Sequence, residues 1–309
     1  MKLLKKPILK AINSLGYTVV KLPLQPRKND TLVEVAVAGR RLVIHSGNPL
    51  WKVYQQNPSC NRALAVIAKL VTGKYPDAWA FDVGANIGDT LAVILSQAKL
   101  PVVCVEGDSH CYGLLQQNAR QFESVHTLNV FLSSQPETVN VKIEKAGWNT
   151  TLLETEKTEA TRQIKFETID NIASQLGCRN RVQLIKVDTE GFDIRILRGA
   201  AGILSATKPV VSFELNKENI APLGDSVADF FDFLSGHGYN NYFLTDPDGK
   251  PICTLSAGDG PLFSSLYKYS GPMKPVCYFD VLAFHANDQD LFDLFVKDQD
   301  EQTSQLTKN

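Results

Sequence analysis

The residues of this sequence that could do chemistry are acids that directly follow runs of apolar residues. Asp82 lies in the segment 81–90, FDVGANIGDT, where an apolar run ends and Gly84 and Gly88 follow. We interpret this segment as a buried strand, a glycine turn and the start of a helix, because glycine permits a positive φ and lets backbone approach a ligand closely. Such a turn at the carboxyl end of a parallel strand is where open α/β sheets bind nucleotide-like ligands.

The acid before the turn separates two classes of ligand. Dinucleotide-binding turns read G-x-G-x-x-G and hold a pyrophosphate at a helix N-terminus, which a neighbouring carboxylate would repel. Here Asp82 precedes Gly84 by two residues, and the third glycine of the pattern is absent. The turn therefore favours a ligand with positive charge, such as S-adenosylmethionine with its ammonium and sulfonium groups. The residues expected to bind it are Asp82, Gly84, Asn86, Gly88 and Thr90. The alternative is a turn that only links strand to helix.

Two further features extend this site. Glu106 ends the apolar run 101–106, about 20 residues after the turn, where a carboxylate can accept both hydroxyl protons of a ribose. The alternative for Glu106 is a solvated charge at a strand end. The adenine ring needs apolar faces and a few polar contacts at its edge. We therefore expect the ring near Leu132 and Ser133, after the strand predicted at 125–131.

At these residues the sequence resembles the FkbM family of S-adenosylmethionine-dependent methyltransferases. The resemblance covers, in the family's order, residues 81–90, 102–120, 166–173 with 185–200, and 210–216. Its most specific part is D-x-E-G-x-x-x-x-x-L-x-G-A, formed by Asp188, Glu190, Gly191, Leu197, Gly199 and Ala200. Gly107 departs from the family pattern, which often has proline there. The resemblance implies a Rossmann-like class I fold and methylation of hydroxyl groups on sugars, polyketides or related natural products.

Methyl transfer to a hydroxyl needs a base or a metal beside the acceptor oxygen. Asp188 and Glu190 follow the strand predicted at 182–187, and Glu214 ends the strand predicted at 209–214. We predict that Asp188 orients cofactor or acceptor and that Glu190 is the base, with these roles open to exchange and Glu214 as a third acid at the same rim. Lys186 shares a face with Asp188 and is a weaker candidate. The alternatives are a structural hydrogen-bonded pair and a hard-cation site; no metal is predicted.

The composition of the chain indicates the class of partner and the cellular compartment. The chain has 309 residues, 44% of them hydrophobic, which suffices for a substantial core. With 32 basic and 33 acidic residues it has no global basic field for nucleic acid, so we expect a small-molecule hydroxyl acceptor. Six scattered cysteines without a C-x-x-C pair indicate reduced thiols and a cytoplasmic protein. The oligomeric state is not predicted.

The lysine-rich segment 1–22 has apolar runs too short to span a bilayer. We expect a helix packed on the domain; the alternative is a basic amphipathic helix resting on a membrane surface.

Alternating strand and helix patterns from residue 79 predict βαβ units around a parallel sheet. We expect an α/β, Rossmann-like fold with a seven-stranded, mostly parallel sheet and helices on both faces. The expected strands are 79–83, 101–106, 125–131, 182–187, 209–214, 239–245 and 276–284. The expected helices are 59–72, 88–98, 110–121, 168–176, 192–204 and 227–237. The expected domains are an N-terminal helix and β-hairpin extension (1–75), the methyltransferase domain (76–286) and a polar tail (287–309).

Other functions remain open at this point. A module that binds S-adenosylmethionine but has lost its chemistry would keep the same glycine turn. An NAD-dependent oxidoreductase would share the fold, but the missing third glycine and Asp82 disfavour it. A nucleic-acid methyltransferase is disfavoured because a basic stripe and an N/D-P-P-Y motif are both lacking.

Overall fold

A computed structural model describes residues 30–146, 149–154, 162–272 and 274–306 of the chain. The predicted N-terminal helix within residues 1–22 lies outside these ranges. The strands are β1 (Leu32–Val37), β2 (Arg40–His45), β3 (Trp79–Val83), β4 (Val102–Val105), β5 (Val125–Leu128), β6 (Phe131–Leu132), β7 (Glu137–Ala146), β8 (Asn149–Glu154), β9 (Arg162–Glu167), β10 (Val182–Val187), β11 (Val210–Leu215), β12 (Tyr239–Thr245), β13 (Pro251–Ser256) and β14 (Phe279–His285). The α-helices are α1 (Leu50–Gln56), α2 (Arg62–Lys74), α3 (Asp89–Gln97), α4 (Ser109–Ala119), α5 (Ile169–Gln175), α6 (Asp193–Arg198), α7 (Ala201–Ala206), α8 (Lys217–Ile220), α9 (Val227–Gly236), α10 (Gly260–Tyr269) and α11 (Gln289–Leu306).

The central sheet has the strand order β13-β12-β14-β11-β10-β3-β4-β5. The five strands from β11 to β5 are parallel, and β14, β12 and β13 add antiparallel partners at the other side. All four residues of β4 are buried, without alternation, as a strand covered on both faces requires. The predicted α/β class is therefore confirmed, and the carboxyl ends of the parallel strands meet along one edge of the sheet.

The strand count was predicted as seven, and this was wrong, because within the described ranges the central sheet has eight strands. The additional strand is β13, which pairs antiparallel with β12 across the turn at 246–250. It is an edge strand in which only Leu255 is buried, so it lacks the long apolar run by which the sequence reveals a strand.

A second sheet of four strands, β6-β9-β7-β8, branches from the third parallel strand. The expected strand 125–131 ends at Leu128 instead, because the Asn129 side chain donates hydrogen bonds to the carbonyls of Glu106 and Gly107, at 2.8 and 3.1 Å. The chain then enters β6, which carries Leu132 alongside β9.

The expected single helix 192–204 is two short helices, α6 and α7, separated at Gly199. A Cβ at Gly199 would lie 2.3 Å from the Ser133 carbonyl oxygen, so glycine is needed for this close approach. The Asp170 carboxylate then accepts hydrogen bonds from the backbone of Gly202 and Ile203, at 2.8 and 2.9 Å, and begins the second helix.

The elements at both ends of the described chain pack on the same core as the central sheet. Inner residues of the β1–β2 hairpin, among them Val37 and Ile44, are buried in the cluster that contains Ile94 of α3. The segment expected as a polar tail contains the 18-residue helix α11. Its Phe295 is fully buried and its ring lies 5.0 Å from that of Phe243.

Two general features bear on the environment of the protein. Among the described residues, no helix combines the length and the apolar character that crossing a membrane requires. Within the same residues the structure has no disulfide.

Candidate active site

A cleft of about 440 Å³ opens where β3, β4, β10 and β11 end. Eight predicted site residues line it: Gly84, Asn86, Thr90, Glu106, Leu132, Asp188, Glu190 and Glu214. Three do not: Asp82, Gly88 and Ser133. The structure thus gathers residues from four separate strand ends around one cavity.

Asp82 lies behind the cleft rather than in it. Its side chain is fully buried, accepts a 2.6 Å hydrogen bond from the Thr90 hydroxyl, and forms an ion pair with Lys186 at 3.3 Å. Asp82 and Lys186 are neighbours in the parallel pairing of β3 and β10, so the sheet itself brings them together. Sequence reasoning that assigned the charge of Asp82 directly to a cationic ligand therefore overlooked its internal partner.

Lys186 links this buried acid to the cleft. Its ammonium also lies 3.6 Å from the Asp188 carboxylate and donates to the Gly84 carbonyl at 3.3 Å. Burial alone would lower the pKa of Lys186, but Asp82, Asp188 and Asp89 outweigh it and raise that pKa above its ordinary value. Lys186 is thus charged, and its ammonium group already interacts with two carboxylates and a carbonyl of the protein.

The glycine turn is shaped by close backbone contact. Gly84 has a φ of +74°, and a Cβ there would lie 1.9 Å from the Asp188 carbonyl oxygen. Gly88 has a φ of +88° and precedes α3 as its N-cap, so its role here is to begin the helix. Asn86, with a φ of +46°, has a side-chain oxygen that is buried and without a hydrogen-bond partner in the described part of the chain. The turn therefore offers an acceptor to a ligand in the cleft.

Glu106 is held beside the glycine turn by backbone donors. Its carboxylate accepts hydrogen bonds from the backbone N–H of Asn86 at 2.9 Å and of Asp108 at 2.7 Å. Burial raises the pKa of Glu106 to about 7, although these two hydrogen bonds oppose the shift. Each carboxylate oxygen keeps a further lone pair, which can accept a hydroxyl proton of a ligand.

An apolar wall adjoins Glu106 and suits a planar ring. Its members are Val130, Phe131, Leu132, Phe166, Phe192 and Ile196. The rings of Phe166 and Phe192 stack at 5.6 Å. A Cβ at Gly107 would lie 2.3 Å from the Phe131 ring, which explains glycine at this position. Leu132 lines this wall, whereas the buried Ser133 donates its backbone N–H to the Glu167 carbonyl at 2.9 Å and does not reach the cleft.

The two acids after β10 differ in their surroundings. The Asp188 side chain is 48% exposed and points toward Lys186, so it remains accessible to a ligand. Glu190 has a φ of +53°, a sparsely populated conformation for a residue other than glycine, and accepts a 2.7 Å hydrogen bond from Asn219. Gly191 follows with a φ of +112°, where a Cβ would lie 2.5 Å from the Asn219 carbonyl oxygen. Glu190 is therefore fixed by its neighbours more than Asp188 is.

A carboxyl pair forms the far end of the cleft. Glu214 of β11 stands directly opposite Asp280 of β14, and both line the cavity. Like charges placed opposite each other across two strands destabilise a sheet, and such arrangements are common at functional sites. Burial and then Asp188 raise the pKa of Glu214 well above its ordinary value, and the same two causes raise that of Asp280 to about 7. Asp280 was missed by the sequence reading, and the only signal was an acid at the start of an apolar strand.

The N-terminal extension supplies a further wall that was also missed. The Tyr54 hydroxyl donates a 2.8 Å hydrogen bond to Asp89, which lies at the start of α3, and accepts one from Asn61 at 3.2 Å. Asp89 and Asn61 both line the cleft. These contacts hold α1 and its flanking segments beside the glycine turn.

Acids far outnumber bases in the lining of the cleft. Of the residues that the structure describes, eight acids and a single lysine line it. The same part of the chain holds no cluster of three or more His, Cys, Asp or Glu side chains that could bind a metal ion.

Comparison with known proteins identifies the family. Residues 82–240, slightly more than half of the chain, match the model of the methyltransferase FkbM domain. The chain belongs to the FkbM methyltransferase family. The predicted resemblance is thus confirmed, and with it S-adenosylmethionine as the cofactor. No curated protein matches the chain significantly.

Solved structures with similarity to this FkbM family member include three methyltransferases. Methyltransferase FkbM from Methylobacillus flagellatus KT is 19% identical, with a TM-score of 0.42, over 68% of this chain and 54% of that one. This chain therefore spans about half of that protein's length. Precorrin-6y C5,15-methyltransferase from Geobacter metallireducens GS-15 is 10% identical, with a TM-score of 0.38, over 72% and 87% of the two chains. A TehB-like SAM-dependent methyltransferase from Corynebacterium glutamicum is 13% identical, with a TM-score of 0.35, over 77% and 100%.

The residues of the cleft fit the cofactor. Its hydrogen-bond donors, the ammonium and the ribose hydroxyls, match acceptors that the structure leaves available at Asn86 and Glu106. The apolar wall that includes Phe131 and Leu132 provides faces for a purine.

Proposed function

We propose that this protein transfers a methyl group from S-adenosylmethionine to a hydroxyl of a small molecule, such as a sugar or a polyketide-type natural product. The observation that carries the proposal is the meeting of the glycine turn, Glu106 and the pair Glu214–Asp280 in one cleft. Bound S-adenosylmethionine supplies an electrophilic methyl group. The other requirements, which are orientation, exclusion of water and removal of a proton, fall to residues of the chain.

Cofactor binding is assigned to the region between the turn and the apolar wall. Asn86 and Glu106 accept hydrogen bonds from the cofactor, Leu132 contacts its ring, and Gly84 allows its close approach. Thr90 acts from behind by holding Asp82, which in turn fixes Lys186. Asp188, which lines the cleft with a partly exposed carboxylate, orients the reactants.

Proton removal is assigned to the carboxyl pair rather than to Glu190 alone. Burial and Asp188 raise the pKa of both Glu214 and Asp280, so the protonated form of each carboxyl group is favoured more than usual near neutral pH. The ionised member accepts the proton of the acceptor hydroxyl, and the protonated member keeps the local charge low. Glu190, which is bonded to Asn219, shapes the rim beside them.

The excess of acids over bases in the cleft supports this function over NAD chemistry. The ionised acids among the eight that line the cleft would repel a pyrophosphate, whereas they suit a cofactor with an ammonium and a sulfonium and an acceptor rich in hydroxyl donors. A cytoplasmic location remains a proposal that rests on the scattered cysteines.

The test separates binding from chemistry. Calorimetry with S-adenosylhomocysteine measures cofactor binding, and transfer of a labelled methyl group to a panel of sugars and polyketide alcohols measures chemistry. Glu214→Gln and Asp280→Asn should keep binding within a few-fold and lower transfer by about 100-fold or more, the range of a general base. A folded protein that does not bind S-adenosylhomocysteine would overturn the function, and unchanged transfer in both variants would overturn the base assignment.

A further inference from the structure

A part of the chain that precedes the family match forms one side of the cofactor cleft. The match begins at residue 82, yet Asn48, Leu50 and Val53 line the cavity together with the glycine turn. The hydrogen bond between Tyr54 and Asp89 anchors this side to the start of α3. A residue of this extension is therefore positioned to contact whatever occupies the cleft.

Asn48 has a side-chain donor without a partner. Its Oδ1 accepts a 3.0 Å hydrogen bond from the Leu50 backbone N–H, and this fixes which end of the amide carries the NH₂ group. The side chain is only 3% exposed, and its Nδ2 finds neither a partner among the described residues nor access to solvent. Buried donors are nearly always hydrogen-bonded in native proteins, so the missing acceptor is expected from a ligand.

The chemistry of the cofactor indicates which acceptor that is. S-Adenosylmethionine carries one anion, the carboxylate of its amino-acid part, and the acids that dominate the rest of the cleft would repel it. The lining lysine, Lys186, is already paired with Asp82 and Asp188 and donates to the Gly84 carbonyl. The neutral side-chain amide of Asn48, whose Nδ2 has no partner among the described residues, is the complementary donor.

We propose that Asn48 Nδ2 donates a hydrogen bond to the amino-acid carboxylate of S-adenosylmethionine. The N-terminal extension then completes the cofactor site, and Asn48 is a binding residue for the methyl donor. This inference rests on the proposed function, because it assumes that S-adenosylmethionine occupies the cleft.

The test compares two ligands with and without the carboxylate. S-Adenosylhomocysteine has the amino-acid part, and 5′-methylthioadenosine keeps the adenine, ribose and thioether but lacks it. Asn48→Ala should weaken S-adenosylhomocysteine binding by about 10- to 100-fold, as loss of a hydrogen bond to a charged group does. Asn48→Asp should weaken it further by repulsion. Binding of 5′-methylthioadenosine should change less than threefold in Asn48→Ala.

The matched control is Asn57→Asp. Asn57 makes the same type of contact, because its Oδ1 accepts a 3.2 Å hydrogen bond from the Ser59 backbone N–H, but it lies outside the cleft. The Asn57→Asp variant should bind both ligands with unchanged affinity. Circular dichroism and thermal unfolding of each variant would show that the fold is retained.

Each outcome decides one question. If the unmodified protein binds neither ligand, the proposed function fails. If it binds S-adenosylhomocysteine and Asn48→Ala binds it equally well, or if both ligands weaken equally, the assignment of Asn48 to the carboxylate fails while the function stands. Weakening only in Asn48→Asp would mean charge repulsion without a lost hydrogen bond, and would also overturn it.

Discussion

The ammonium of Lys186 lies 3.3 Å from the carboxylate of Asp82, and this pair is buried beneath the glycine turn. Because Lys186 also approaches Asp188 at 3.6 Å, one buried cation supports an acid behind the turn and an acid inside the cleft. The pair joins the first and fourth parallel strands that build the site, so stability and binding geometry depend on the same contact.

Removal of the Lys186 charge should destabilise the protein strongly. Lys186→Met leaves Asp82 as an uncompensated buried charge, which typically costs about 3–5 kcal/mol. The double variant Asp82→Asn with Lys186→Met should lose less than Lys186→Met alone, because neither charge remains. Urea unfolding measures both. Lys250→Met is the control, since the Lys250–Asp248 pair is 72% exposed on both sides and should contribute less than about 1 kcal/mol. Equal losses at the two lysines would contradict the assigned role.

Alanine at Gly84 should be far worse than alanine at Gly39. Both glycines have a φ near +75 to +80°, so both substitutions carry a backbone cost of roughly 1–2 kcal/mol. A Cβ at Gly39 meets nothing within 4 Å, whereas at Gly84 it collides with the Asp188 carbonyl. Gly84→Ala should therefore unfold at a clearly lower urea concentration and bind S-adenosylhomocysteine weakly. A similar effect of the two changes would show that the close approach of turn and β10 is unimportant.

Glu106→Gln should weaken both cofactor analogues. A glutamine has one acceptor oxygen, so it cannot keep the two backbone hydrogen bonds and also accept the ribose hydroxyls. We expect a loss of about 10- to 100-fold for S-adenosylhomocysteine and for 5′-methylthioadenosine alike, since both retain the ribose. Calorimetry checks this, with the exposed Glu218→Gln as the control. A loss restricted to one analogue would exclude Glu106 as the ribose acceptor.

The ligand-free protein should lose stability as the pH rises from about 5 to about 7. Burial raises the pKa of Asp280 and of Glu106 to about 7 and that of Asp193 to about 6, so the folded state holds protons that the unfolded chain releases near pH 4. More protons on the folded state mean that its stability falls with rising pH across this window. In Asp280→Asn the free energy of unfolding should decrease less between pH 5 and pH 7, by on the order of 1–3 kcal/mol. A pH-independent stability would argue against protonated acids in the cleft.

The pKa of Glu214 should respond to its acidic neighbours in a fixed order. After burial, Asp188 is the strongest cause of its raised value and Asp280 a weaker one. Carboxyl ¹³C NMR should therefore show a lower pKa for Glu214 in Asp188→Asn and a smaller decrease in Asp280→Asn. Asp248→Asn, at an exposed acid of the same cleft, should leave it unchanged. An unchanged pKa of Glu214 in Asp280→Asn would mean that Glu214 and Asp280 do not act as a pair.

The sequence by itself determined the elements that follow from local patterns. The segment FDVGANIGDT specified a strand, a turn and a helix start because apolar runs, glycines and a leading acid act within a few residues of one another. The same locality allowed Gly84, Asn86 and Glu106 to be predicted as cofactor-binding residues, and all three line the cleft. The pattern around Asp188 and Glu190 led to the family, which the match over residues 82–240 confirms.

Only the tertiary structure decided which charges meet. Lys186 and Asp82 are more than 100 residues apart, and their pairing depends on the register of β3 and β10. Asp280 faces Glu214 because β14 returns antiparallel to β11, and Asn48 reaches the cleft because the N-terminal extension packs beside α3. Electrostatic energies depend on distance and burial in space, and spacing along the chain contains neither.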